Sequence, residues 1–124
     1  ELVQLVTRES TKIFATNDDN IAKALKFIRK NKKHPIHLDD VVEYAGTSRR
    51  YLQKKFRKQL NQTIFEAVKN ARIEFAKELL INTNLNISEI ATEMEFPGVN
   101  SFSRYFKKIT GQSPLQYRKS INTY

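Results

Sequence analysis

Two stretches of the sequence repeat one another. Leu38, Val41, Val42, Ala45, Leu52 and Phe56 match Ile87, Ile90, Ala91, Met94, Phe102 and Phe106, at an offset of 49 before a turn and 50 after it. The second copy thus has one extra residue in its turn. In each copy the apolar residues recur at helical spacing, an acidic segment comes first, and a basic segment follows the turn. Asp39, Asp40 and Glu43 precede Arg49, Arg50, Lys54, Lys55, Arg57 and Lys58. Glu89, Glu93 and Glu95 precede an acid-free tail carrying Arg104, Lys107, Lys108, Arg118 and Lys119. A short helix, a tight turn and a second helix form the outline of a helix-turn-helix.

The rest of the chain is also helical in period, so the expected fold class is all-α, with seven helices in two helix-turn-helix subdomains joined by a long linker helix. Leu2 to Val6 is short and apolar enough for a strand or the end of an upstream element, and Arg8 to Asn17 reads as a linker. Ile21, Leu25 and Ile28 form one face of a first helix, capped by Asp18 or Asp19 and stopped before Pro35. The first helix-turn-helix spans about 38–58. Gly46-Thr47 breaks it, and Ser48 caps its second helix. Thr63 and Glu66 form a capping box that opens the linker helix, about 63–81, with Ile64, Phe65, Val68, Phe75, Ala76, Leu79 and Leu80 as its buried stripe. Asn86 and Glu89 form a second box, opening a helix-turn-helix at about 86–109. Gly111 closes it in a left-handed conformation, and Ser113-Pro114 starts the last helix.

Charge gives these helices a partner. The chain of 124 residues has 22 Lys plus Arg against 13 Asp plus Glu, a net charge of +9. The segments 49–58 and 96–124 alone hold +6 and +5, while the acidic segments offset a basic first helix. At about 100° per residue, Leu52 and Phe56 set the buried side of one basic helix and put Arg50, Gln53, Lys54 and Arg57 opposite. Phe102 and Phe106 do the same in the other, with Asn100, Ser103, Arg104 and Lys107 outward. Arg or Lys reads guanine, Asn or Gln adenine, and Ser either base, so these are residue types for base edges in double-stranded DNA. Ser48, Arg49, Lys55, Arg57, Lys58, Lys107 and Lys108 suit phosphate contacts. A linker helix of about 18 residues is about 27 Å long. Successive major grooves on one side of B-DNA lie about 34 Å apart, so one monomer would reach both without a two-fold dimer.

Ala71-Arg72-Ile73-Glu74-Phe75-Ala76-Lys77-Glu78-Leu79-Leu80, then Ile87 to Ala91, then Phe102 to Lys108 with Thr110 to Pro114 and Tyr117-Arg118, resemble the AraC/XylS-type transcription factors. The resemblance covers about residues 19–121. It implies two helix-turn-helix subdomains on an asymmetric promoter site, with base-reading positions at Arg50, Gln53 and Lys54 and at Asn100, Ser103 and Arg104. Two departures stand out. Glu95-Phe96 replaces the usual Gly-Phe, which implies a differently shaped turn, and Asn100-Ser101 replaces a common Ser-Tyr pair. Leu5 to Thr11 resembles the last segment of Lac-repressor-type sugar sensors. Together these imply residues 1–17 as the tail of an upstream sensor and linker, and 18–124 as the DNA-binding domain. They imply a bacterial, cytoplasmic activator of sugar metabolism, responsive to xylose or another pentose, that meets RNA polymerase when complete. The chain starts at Glu1 rather than Met and is expected to be a fragment, with the sugar site in the part upstream.

Other chemistries find no support. With no Cys, and with His34 and His37 beside lysines, no metal site is expected. There is no Ser-His-Asp set, no Gly-rich phosphate loop and no paired carboxylates in an apolar setting, so an enzyme is not expected, nor any cofactor. No apolar run reaches the ~20 residues that span a bilayer, and the aliphatic stripe of the first helix is needed for packing rather than for a membrane surface. Tyr44, Tyr51, Tyr105, Tyr117 and the Phe residues read as core. The competing readings are a sequence-neutral architectural DNA-binding protein and a helical interaction module for an acidic partner.

Overall fold

The computed structural model describes residues 19–121, and the expectations for residues 1–18 lie outside them. The described residues form seven helices and no strand: α1 (Asp19–Lys30), α2 (Leu38–Ala45), α3 (Arg49–Leu60), α4 (Ile64–Asn82), α5 (Ile87–Glu93), α6 (Val99–Thr110) and α7 (Pro114–Ile121). The chain divides into two units. One runs to Lys30 and resumes over Ile36–Ala67; the other comprises Asn31–Pro35 and everything from Val68. The first turn of α4 therefore belongs to one unit and its remainder to the other.

Each unit is built on the same plan, and the repeat is longer than the helix-turn-helix alone. The core of the first unit holds Ile21, Ala24 and Ile28 from α1, Val41 and Ala45 from α2, Leu52 and Phe56 from α3, and Ile64 from α4. The second holds Ile73, Ala76 and Leu80 from α4, Ile90, Ala91 and Met94 around α5, and Phe102 and Phe106 from α6. Ile21, Ala24 and Ile28 match Ile73, Ala76 and Leu80 at an offset of 52, so α1 and the later part of α4 play the same role. Leu25 is only half-buried, and Ala24 takes its place on the stripe.

The helix ends repeat as well. Ser48 Oγ accepts the Tyr51 N–H at 3.1 Å and caps α3. Thr63 and Glu66 form their reciprocal box at 3.0 and 2.8 Å, and Asn86 and Glu89 form theirs at 2.8 Å in both directions. A further box, Ser113 with Gln116, opens α7 at 3.1 and 3.0 Å, 50 residues after the first. The basic helices α3 and α6 both end on a left-handed residue, Asn61 at φ 54° and Gly111 at φ 87°. The third residue of the Thr63 and Ser113 boxes, Phe65 or Leu115, is exposed. Phe65, expected in the buried stripe, is instead 73% exposed, because Ile64 and Ala67 already fill the interior side of that first turn.

One hydrogen bond recurs where each turn begins. In the first unit Asn20 Nδ2 donates to the Ala45 carbonyl at 2.7 Å. In the second, Arg72 stands 52 residues on from Asn20 and donates through Nη2 to the Met94 carbonyl at 2.6 Å. Arg72 is 7% exposed, and its guanidinium also reaches the carbonyls of Lys32 at 3.3 Å and Lys33 at 3.4 Å. Its charge lies 5.0 Å from the centroid of the Phe96 ring.

The next residue is left-handed in both units: Gly46 at φ 75° and Glu95 at φ 61°. The second turn is a Schellman motif, with Phe96 N–H donating to the Ala91 carbonyl at 2.9 Å and Glu95 N–H to the Thr92 carbonyl at 3.0 Å. The expected change of shape at Glu95 is therefore not seen in its backbone angle; a side chain sits where glycine is free of cost. Glu95 also pairs with His34 Nδ1, and Glu93 with Lys33 at 3.1 Å, so the segment Asn31–Pro35 is clipped to this turn.

Two expectations follow, both read from urea denaturation. Arg72→Met leaves the Met94 carbonyl without its charged donor and costs about 2–4 kcal/mol, whereas Asn20→Ala costs about 1 kcal/mol. Gly46→Ala costs about 1 kcal/mol although no atom lies within 4 Å of the added carbon, because the penalty lies in the backbone; Glu95→Gly moves the second turn in the opposite direction.

Candidate nucleic-acid interface

The sequence of α3 fixes which side chains leave the core. Leu52 and Phe56 are fully buried, and Arg50, Gln53, Lys54, Arg57 and Lys58 are all exposed on the same helix. Ser48, also exposed, is occupied as an acceptor by the cap, and its hydroxyl hydrogen stays available to donate. Arg49 is exposed too but pairs with Asp39 of α2, which holds its guanidinium at the helix N-terminus. An exposed pair of this kind adds little stability; its effect is to place a cation. Tyr51, expected in the core, is 41% exposed, with the Lys55 ammonium 5.4 Å from its ring centroid. Tyr44 is 44% exposed and lies against Phe27, ring centroids 5.2 Å apart.

The second unit presents α6 in the same way. Phe102 and Phe106 are fully buried, Asn100, Arg104, Lys107 and Lys108 are exposed, and Ser103 is half-buried. The helix is seated on aromatic packing. Phe96 lies 5.3 Å from both Phe102 and Tyr105 between ring centroids, and Phe106 meets Tyr117 edge-on at 5.5 Å. A shallow hollow runs along α6, lined by Ser101, Arg104, Tyr105, Lys107 and Lys108. The first turn of α6 has no side-chain cap, since Gly98 stands where Ser48 stands in the first unit.

Of the thirteen residues expected to touch DNA, six at base edges and seven at phosphates, eleven are exposed and two, Lys55 and Ser103, are half-buried; all lie on α3, at its N-cap or on α6. Three cations do other work. Arg72 was visible in the sequence as a charged residue in register with Ala76 and Leu80 on a buried stripe. Arg118, part of the basic tail, turns inward, donating to the Leu80 carbonyl at 2.9 Å and the Leu85 carbonyl at 2.6 Å. It thereby satisfies carbonyls at the C-terminal end of α4, where a cation is also favoured by the helix dipole. Lys77 is held by Glu74 at 3.3 Å. No cluster of His, Cys, Asp and Glu that could hold a metal ion occurs among the described residues, and none of their helices is long and apolar enough to cross a membrane.

A family model described as a helix-turn-helix domain matches residues 41–120. The chain belongs to the AraC-type helix-turn-helix family. It is 32% identical over 116 residues to the xylose operon regulatory protein of Escherichia coli K12, covering 94% of this chain and 30% of that protein. It is 36% identical over 105 residues to the HTH-type transcriptional activator AarP of Providencia stuartii, 84% of this chain and 77% of that protein. Among solved structures, the xylose-binding transcription activator XylR superposes with a TM-score of 0.75 at 31% identity, over 95% of this chain and 31% of that one. The C-terminal domain of AraT, a response regulator from Geobacillus stearothermophilus, gives 0.74 at 32% identity, over 82% and 84%. The chain is thus an AraC-type DNA-binding domain of the kind found in transcription regulators, a family of DNA-binding proteins rather than enzymes. It spans less than a third of the length of the xylose operon regulators it matches.

Burial near α6 has a consequence at high pH. It pushes the Tyr105 hydroxyl above its ordinary value, with the Arg72 charge opposing. The same burial lowers Arg72, which the Tyr105 and Glu95 charges counter. A group raised on folding contributes stability that is complete below its unfolded value of about 10 and is lost as pH rises through the folded one. Denaturation of the domain between about pH 9.5 and 11 should therefore show a downward slope that Tyr105→Phe reduces. An identical slope in both proteins would show that Tyr105 makes no such contribution.

Proposed function

We propose that this chain is the sequence-reading part of a bacterial regulator that activates genes for the use of xylose or another pentose. The observation that carries the sugar is the similarity to xylose operon regulators over 94% of the chain, which extends beyond the helix-turn-helix match. Leu5 to Thr11, with their likeness to the end of a sugar sensor, support the same reading. The sugar would bind upstream of this chain, and RNA polymerase would be the partner of the whole regulator in the cytoplasm.

Arg50, Gln53 and Lys54 on α3, with Asn100, Ser103 and Arg104 on α6, would read base edges. Ser48, Arg49, Arg57, Lys58, Lys107 and Lys108 would hold phosphates and supply the salt-dependent part of the affinity. The 19 residues of α4 give it a length of about 28 Å, which suits entry of α3 and α6 into successive major grooves about 34 Å apart.

The target sites come from genomic footprinting of the intact regulator with and without pentoses. Arg50→Ala should cost about 1–3 kcal/mol on such a site and little on random duplex, while Lys107→Ala should weaken both alike and lower the salt slope by about 1. Titrations at fixed salt decide it. Equal affinity of the chain for target and random duplex would replace this reading with sequence-neutral binding, and equal losses for Arg50→Ala would make Arg50 a phosphate contact.

A further inference from the structure

We propose that the outer face of α1 is an additional contact for the phosphate backbone of DNA, made by Lys23, Lys26, Arg29 and Lys30. It rests on the assignment of α3 and α6 as the DNA-facing helices and adds a surface outside both helix-turn-helix motifs. Ile21, Ala24 and Ile28 commit the inner face of α1 to the core, and all four cations are exposed. Among the described residues none of the four has an acidic partner, and α1 holds no acid after Asp19. Lys26 lies three residues from both Lys23 and Arg29 and four from Lys30. Like charges at these spacings repel across a helix surface and destabilise it.

Folding does not require them. The equivalent helix of the second unit, α4, packs the same stripe, yet 52 residues on from Ala22, Lys23, Lys26, Arg29 and Lys30 it carries Glu74, Phe75, Glu78, Ile81 and Asn82. The repeat therefore separates what the motif needs from what was added to one copy. The helix dipole accounts for cations in the last turn, Arg29 and Lys30, but not for Lys23 and Lys26. The stripe from Lys23 to Lys30 covers about 10 Å along the axis, a length over which one DNA strand presents about three phosphates. With its aliphatic residues buried, α1 has no apolar face to insert into a lipid surface.

The test is lysine acetylation of the full chain by N-hydroxysuccinimide acetate, read by mass spectrometry, free and saturated with a 40-base-pair random duplex. Lys23, Lys26 and Lys30 should lose reactivity several-fold on DNA, together with Lys54 and Lys107. Protection of Lys54 and Lys107 with undiminished reactivity at the three α1 lysines would overturn the proposal and leave the α3 and α6 reading standing; no protection anywhere would overturn both. The variant Lys23→Gln, Lys26→Gln, Lys30→Gln, with unchanged helix content, should lower the slope of log K against log salt by about 2–3. An unchanged slope overturns the proposal, as does stronger protection by phosphatidylserine vesicles than by duplex.

Discussion

Where a helix gives way to a tight turn, its last carbonyls point past the end of the helix and no following amide bonds them. Ala45 and Met94 occupy this place in the two units, and each is met by a donor from the helix that opens its unit, Asn20 or Arg72. The bond ties the start of the turn to a helix that gives three side chains to the core of the unit, Ile21, Ala24 and Ile28 or Ile73, Ala76 and Leu80. The direction in which the chain leaves for α3 or α6 is thereby set from the core. It acts together with the two buried anchors of each basic helix, Leu52 and Phe56 or Phe102 and Phe106, which set the side that the helix turns outward.

The two turns reach the same backbone by unequal means. The first has glycine at the left-handed position and a serine cap on the helix that follows. The second has a glutamate at the left-handed position and a bare glycine at the cap. Both local choices disfavour the second turn. Its neighbourhood compensates: a guanidinium in place of a carboxamide, a phenylalanine from the turn itself wedged between Phe102 and Tyr105, and, to Asn31–Pro35, an ion pair of Glu93 with Lys33 and a hydrogen bond of Glu95 with His34. Local and tertiary terms are exchanged here against one another within a single repeat.

What the sequence discloses follows from the range of the interaction. Caps and boxes link residues three apart, and helical stripes link residues three and four apart, so Ser48, Thr63 with Glu66, and Leu52 with Phe56 could be read directly. The outward faces of α3 and α6 then followed from two buried anchors each. Arg72 bonds carbonyls 22 and 40 residues away, and Arg118 bonds one 38 away, so a count of charges recorded them only as cations. Phe65 satisfied the helical period and still faces outward, because at the first turn of a helix the period does not say how wide the buried side is. Tyr44 and Tyr51 fell on the margins of their stripes for the same reason. At Glu95 the residue type argued against a left-handed turn, and the packing of Phe96 and the paired Schellman bonds prevailed.

Asn31–Pro35 lies between α1 and α2 in the chain, yet it belongs with the residues beyond Val68. The second unit is therefore discontinuous, and no single cut in the gene separates it whole. A fragment beginning at Val68 would keep Arg72 but lose the Lys32 and Lys33 carbonyls and the partners of Glu93 and Glu95. Although the chain looks like a tandem duplication, its second half cannot be exchanged as a cassette. Recombination that swaps one recognition helix for another has to carry along five residues encoded well upstream, or rebuild the turn that aims α6.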